Sequence, residues 1–246
     1  MISGITSALS GLQVNQLMVQ TAAGNLANLN TTGFKSSRLN LGTQGAGVTA
    51  AGEIGRGAQA LSTQRDFSTG PIISTGQDLD LAIQGQGFFQ VNRGGQAAYT
   101  RDGSFHLDRD SYVVDASGNR LQPEMQLPSE TASIRVDASG RLEALDAGGQ
   151  VIAAENLQLY KFPNPDGLSS LGQNDYQPSA ASGDPQAVTP GTGGAGTVIQ
   201  GALEGAQVDP AREMVNLMLG QRGFEASLKV IQTSDALLGE LVDVRA

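Results

Sequence analysis

From Met1 to Phe34 the chain carries no charged side chain, and its first acidic residue is Glu53. A stretch this long without charge gains nothing from ion pairs along a helix and has no charged face to offer to water. Its apolar residues nevertheless recur at helical spacing. Ile2, Ile5, Leu9, Leu12, Gln16, Val19, Ala23 and Leu26 step by three and four, the grain of the a and d positions of a coiled coil. Gly4, Gly11 and Gly24 weaken such a helix by about 1 kcal/mol each relative to Ala. The segment is therefore expected to be poorly helical alone and to fold only against a partner. It should end in the turn-forming cluster Asn28-Leu29-Asn30-Thr31-Thr32-Gly33.

The other end repeats the device. Asp209-Pro210 reads as an N-cap followed by Pro at the first helical position. Beyond it Met214, Leu217, Gln221, Phe224, Leu228, Ile231, Asp235, Leu238 and Val242 again step by three and four. Each stripe has a Gln at a seam position, Gln16 and Gln221, of the kind that fixes register in coiled coils. Asp235 is left to face another chain or solvent.

Between these ends the period changes from helix to strand. Leu79, Leu81 and Ile83 alternate with Asp80 and Ala82, and Phe88, Phe89 and Val91 follow a Gly85-Gln86-Gly87 turn. A short repeat, Asp115-Ala-Ser-Gly-Asn, Asp137-Ala-Ser-Gly-Arg and Asp146-Ala-Gly-Gly-Gln, separates apolar runs. Asp and Gly in that order supply the side-chain acceptor and positive φ that hairpin loops demand. Residues 164–197, rich in Pro, Gly and Ser, read as an irregular excursion with little core. The resulting expectation is an α+β chain: terminal N- and C-helices forming a coiled-coil layer, with a middle antiparallel β domain. The expected boundaries are 1–32 for the first helix, 33–66 for a Gly-rich linker, 67–202 for the β domain and 203–246 for the second helix.

Composition removes most chemistry. The chain of 246 residues has no Cys and one His, which excludes thiolate zinc sites, thiol nucleophiles and disulfides. Any Ser-His-Asp triad would have to use His106, which alternates with apolar neighbours as an outward strand residue. A formal net charge of −9 makes a poor partner for nucleic acid. Gly85-Gln86-Gly87 lacks the third glycine of a dinucleotide fingerprint, and Asp108 with Asp110 begins a calcium loop that Tyr112 and Asn119 then break. Asp78 and Asp80 share a strand face with nothing to mark a cleft. Asn30-Thr31-Thr32 fits a glycosylation sequon, but a helix end explains it. The reading is of no catalytic residue, no cofactor, no metal and no small-molecule substrate.

Three long motifs carry a family resemblance. The run from Ala23 to Lys35, AGNLANLNTTGFK, resembles the N-terminal motif of the bacterial flagellar rod and hook protein family. Its Asn25, Leu26, Ala27, Asn28, Thr32, Gly33, Phe34 and Lys35 carry the match. Leu79 to Phe89, then Tyr99-Thr100-Arg101-Asp102-Gly103-Ser104-Phe105, resembles the family's β-domain motif, and Leu203-Glu204, Met214-Val215 and Gln221 to Glu225 its C-terminal region. Leu159 to Leu171 and Gly183 to Gly194 are most similar to distal-rod members, proximal-rod members being the next alternative. Hook members are longer, and the stretch between Arg38 and Arg56 is short beside the distal pattern.

The resemblance implies a subunit present in many copies in a helical array, transmitting torque from motor to hook and filament. Its partners would be neighbouring rod and hook proteins, surrounding ring proteins and the flagellar type III export apparatus. Its place would be the basal body where the rod crosses the periplasm, reached without a cleaved signal peptide. The assembly interface would comprise Ile2, Ile5, Leu9, Leu12, Gln16, Val19, Leu26, Met214, Leu217, Gln221, Phe224, Leu228, Ile231, Leu238 and Val242. The alternative from another class is a free-standing adhesive or binding module built on the β domain.

Overall fold

A computed structural model describes residues 2–49 and 52–243, with the side chains of residues 2, 3, 46–54, 238 and 240–243 outside that description. The chain is α+β, with a helix at each end and antiparallel strands between them. It divides into two compact units: Met1–Ala27, Ser37–Arg65 and Val208–Ala246 form the first, Asn28–Ser36 and Asp66–Gln207 the second.

In the first unit, helix α1 (Ile2–Ala27) pairs with helix α2 (Pro210–Asp243). At 26 and 34 residues they are roughly 39 and 51 Å long. The start of α2 is the one its sequence encodes. Asp209 Oδ1 accepts hydrogen bonds from the Ala211 and Arg212 amides at 3.0 and 3.2 Å, with Pro at the first helical position. The helices run antiparallel, because Gly11 lies beside Ser227, Asn15 beside Gly223 and Val19 beside Gly220.

The span read as a linker contains a two-stranded ribbon. Ser37–Thr43 pairs with Ala58–Arg65, the register slipping between Asn40 and Leu41, and Ala46–Thr49 pairs with Gly52–Gly55 beyond. Ser10 of α1 holds it through the Ala58 amide at 3.2 Å. Glycines that suggested an irregular linker instead permit close packing, as where Gly42 meets the Leu61 side chain.

The second unit is a β domain. Its largest sheet has seven antiparallel strands, in the order 169–172, 175–177, 96–100, 89–93, 120–121, 113–114 and 106–107. A three-stranded sheet of 133–136, 141–145 and 151–156 and the pairs 81–84 with 197–200 and 159–161 with 186–188 accompany it. Leu81, Ile83, Phe89, Val91, Leu142 and Leu159 sit in one hydrophobic core. Ala82, expected to face outward, is fully buried as well, so strand 81–84 is covered on both faces. A second cluster of Phe88, Tyr99, Phe162, Leu168 and Tyr176 packs edge to face, and two of its members come from the excursion at 164–197.

All three Asp-Gly segments form the same turn. The carboxylates of Asp115, Asp137 and Asp146 accept from the amides two and four residues on, at 2.8–3.0 Å, and Gly118, Gly140 and Gly149 lie at φ +82°, +81° and +78°. Asp108 makes a fourth copy, accepting from Asp110 and Tyr112, in which Ser111 takes the left-handed position at φ +63°. The residues that resembled a calcium loop are thus a turn, and His106 is exposed on its strand.

Candidate assembly surface

Helix pairing here is governed by side-chain size. The buried positions of α1 are Ala8, Ser10, Val14, Ala22 and Asn25, and the contact with α2 runs through Gly11, Asn15 and Val19. Along α2 the inner positions are Glu213, Gly220, Gly223 and Ser227. A Cβ added to Gly220 would lie 2.8 Å from Val19 Cγ2, and one added to Gly223 would lie 2.5 Å from Asn15 Oδ1. Small residues set the closest approach of two helices, and the line of closest approach follows them.

On α1 the buried Ala8, Ala22 and Asn25 and the contact residues Gly11 and Asn15 fall one residue before the stripe of larger side chains, of which Val19 also meets α2. Ile5, Leu12, Val19 and Leu26 are consequently half-buried, while Leu9 and Gln16 are exposed. On α2, Leu217, Phe224 and Ile231 are half-buried, and Met214, Gln221, Leu228 and Asp235 are exposed. The side chains of Ile2, Leu238 and Val242 lie outside the described residues. Sequence reasoning missed a further outward set: Val215, Met218, Leu219, Val230 and Leu237, of which the first three are 54%, 58% and 57% exposed. The signal was present, since Val215, Leu219, Ala226, Val230 and Leu237 also keep helical spacing. Leu41 and Leu61 on the ribbon are exposed too.

The N-terminal motif divides between the two units. In the first, Asn25 is 2% exposed, donates to Ser37 O at 2.8 Å and Glu213 Oε1 at 3.0 Å, and accepts from the Ser37 amide at 2.9 Å. One amide thus ties α1 to the ribbon and to α2. Leu26 is half-buried and Ala27 is exposed, while Asn28, half-buried, already belongs to the second unit.

In the second unit Gly33 adopts φ +66° with the Arg101–Asp102 backbone against it, where a Cβ would fall 2.6 Å from Asp102 N. Thr32 and Phe34 are half-buried beside it. Lys35 is fully buried, its Nζ 2.6 Å from Glu204 Oε1 and 2.6 Å from Ser68 O. Glu204 Oε2 takes Arg101 Nη1 at 3.2 Å, and Oε1 also accepts the Gly70 amide. Arg101 donates to Gly85 O at 2.7 Å and stacks 5.3 Å from the Phe88 centroid. Its Nε is a buried polar atom with no partner.

Burial pushes the Lys35 amine below its ordinary range, with Arg101 adding to the effect and Glu204 opposing it. One charged residue from each of the three sequence motifs thus meets at a single buried point. Sequence reasoning quoted Lys35, Arg101 and Glu204 and did not join them.

A β domain that buries its own large side chains, and paired helices that expose many of theirs, have the character of a structural subunit. Comparison with known proteins gives its family. Residues 5–35 match the flagella basal body rod protein family, residues 82–144 the D1 domain of the flagellar hook protein FlgE/F/G, and residues 199–244 the C-terminal region of the flagellar basal body rod FlgEFG proteins. The chain is 37% identical to the flagellar basal-body rod protein FlgG of Buchnera aphidicola from Acyrthosiphon pisum, over 98% of this chain and 99% of that one. It is 34% identical to FlgG of Bacillus subtilis over the whole of both. FlgF of Caulobacter vibrioides is 31% identical over 90% of this chain and 89% of its own. The chain belongs to the flagellar basal-body rod protein family, on its FlgG side, and is a structural subunit of the rod.

Proposed function

We propose that this chain builds the distal flagellar rod by polymerising through α1 and α2 into a tubular inner layer that carries torque toward hook and filament. The observation that carries this reading is the outward placement of Leu9, Leu17, Met214, Val215, Met218, Leu219, Leu228, Val230 and Leu237 around a seam of small residues. These exposed side chains remain available to neighbouring copies as a coiled-coil layer. Each Leu or Met buried there contributes about 1.5–3 kcal/mol. Ile5, Leu12, Val19, Leu26, Leu217, Phe224 and Ile231 support the same layer from its flank, with Ile2, Leu238 and Val242 continuing it along the sequence. Rod and hook neighbours would share this mode of contact, ring proteins would meet the outside, and the flagellar export apparatus would deliver the chain without a cleaved signal. Full-length similarity to proteins named FlgG supports the distal position over the proximal one.

Polymerisation of purified variants tests the reading. A carboxylate in a dry interface costs several kcal/mol and recurs in every subunit. Leu228→Asp and Leu219→Asp are expected to abolish polymerisation, whereas Asp108→Ala, on an exposed turn, leaves it intact. Normal polymers from both Asp variants would show that the outward stripe is not the assembly surface.

A further inference from the structure

Residues 28–36 lie with the β domain although the ribbon at 37–65 separates them from it in sequence. They are held along most of their length. The Gly33 amide donates to Glu204 O at 2.7 Å, Phe34 O accepts the Gln207 amide at 3.0 Å, and Ser36 O accepts the Asp66 amide at 2.9 Å. Ser36 Oγ donates to Gln207 Oε1 at 2.7 Å. At the other end Asn174, at the tip of the hairpin 169–177, donates its Nδ2 to Thr32 O at 2.8 Å.

Charge makes the placement selective. Arg101 and Glu204 already form a neutral buried pair, so Lys35 is not required to balance Glu204. Desolvation of the buried amine offsets much of its attraction, but removing it would leave Ser68 O and Glu204 Oε1 each short of a donor. The amine is satisfied at one position only. A slip of one residue would turn Lys35 away from Glu204 and Ser68 O and press a side chain in place of Gly33 against the Asp102 amide.

We propose that residues 28–36 are a strap that closes the β domain, with Lys35 as the pin that sets its register, so that the domain reaches full stability only when this segment has docked. The strap lies within the second unit, so it stands apart from polymerisation through the helices.

Amide exchange on the full-length chain, at a concentration where it is monomeric, tests this. In Lys35→Ala, exchange at Gly33, Asp66 and Gln207 is expected to rise at least tenfold, and at Leu81–Gln84 and Ala202–Glu204 in parallel. Asn174→Gly keeps the left-handed backbone at φ +61° and removes only the bond to Thr32. A several-fold rise at the same amides is expected. If Lys35→Ala does not fold, Asn174→Gly decides alone. A freed strap over strands that keep wild-type protection overturns the proposal, and so does wild-type protection throughout.

Discussion

The two units handle apolar side chains in opposite ways. In the β domain the large ones are inside: Phe89, Leu81, Ile83, Leu142 and Leu159 are at most 1% exposed. In the helical unit the contact runs through Gly11, Asn15, Val19, Gly220, Gly223 and Ser227, and many large residues, Leu9, Met214, Met218 and Leu219 among them, are exposed. Glycines at a helix contact let the two backbones approach closely. The β domain therefore carries its stability internally, while on the proposed mode of assembly the helical unit would complete its burial against other copies. A subunit of a polymer needs both, a body that keeps its shape and ends that respond to neighbours.

Core truncation should break the comparison on one side only. Phe89→Ala is expected to destabilise the β domain by about 3–5 kcal/mol, visible as a lower denaturation midpoint of residues 66–207. Leu219→Ala, on the exposed face, should leave the melting of the monomer within about 0.5 kcal/mol. Equal losses from the two would contradict the division.

A titration is built into the β domain. Asp175 is 2% exposed, and its carboxyl is pushed up to about 6, first by burial and then by Asp115, with Arg93 at 3.1 Å opposing and Asp102 adding to the rise. The folded pKa is raised above that of a free carboxyl, so the fold favours the protonated form. Stability from this group is present in acid and is lost as pH rises from about 4 through 6, by about 2–3 kcal/mol. Asp175→Asn should remove that fall, so that the difference between variant and wild type grows across this window. Chemical denaturation at pH 4, 5, 6 and 7 checks it, and a constant difference would contradict the assignment.

In the seam, Gly220→Ala places a methyl 2.8 Å from Val19 Cγ2 and against the α1 backbone, and overpacking should outweigh the gain in helix propensity by about 1 kcal/mol. The expected readout is fewer and shorter polymers with an unchanged β-domain midpoint. A lowered β-domain midpoint would show that the units are not energetically separate.

The smallest expected effect is a gain. Ser111 occupies the position that glycine fills in the other three Asp turns. Ser111→Gly should stabilise the β domain by about 1 kcal/mol by relieving the left-handed backbone, measured by thermal unfolding.

What the sequence made legible was local. The Asp-Gly turns and the Asp209 cap announced themselves because each is a contact within about four residues, and the switch from helical to strand period marked the helices and the β middle. The seam escaped because periodicity weights large apolar side chains, whereas two closely approaching helices select the small ones beside them. Leu9 and Ala8 differ by one position and face different surroundings for that reason. The ribbon escaped because its glycines read as an irregular linker. The ion cluster escaped because Lys35 and Glu204 stand 169 residues apart and Arg101 stands 103 from Glu204.

The central claim is that the helical unit finishes its burial only in the polymer. Hydrogen exchange on the same chain as monomer and as polymer reads it directly. The account predicts that strands within residues 66–207 are equally protected in both, while Ile2–Ala27 and Pro210–Asp243 exchange quickly in the monomer and at least a hundredfold more slowly in the polymer. Helices already as protected in the monomer as in the polymer would contradict it.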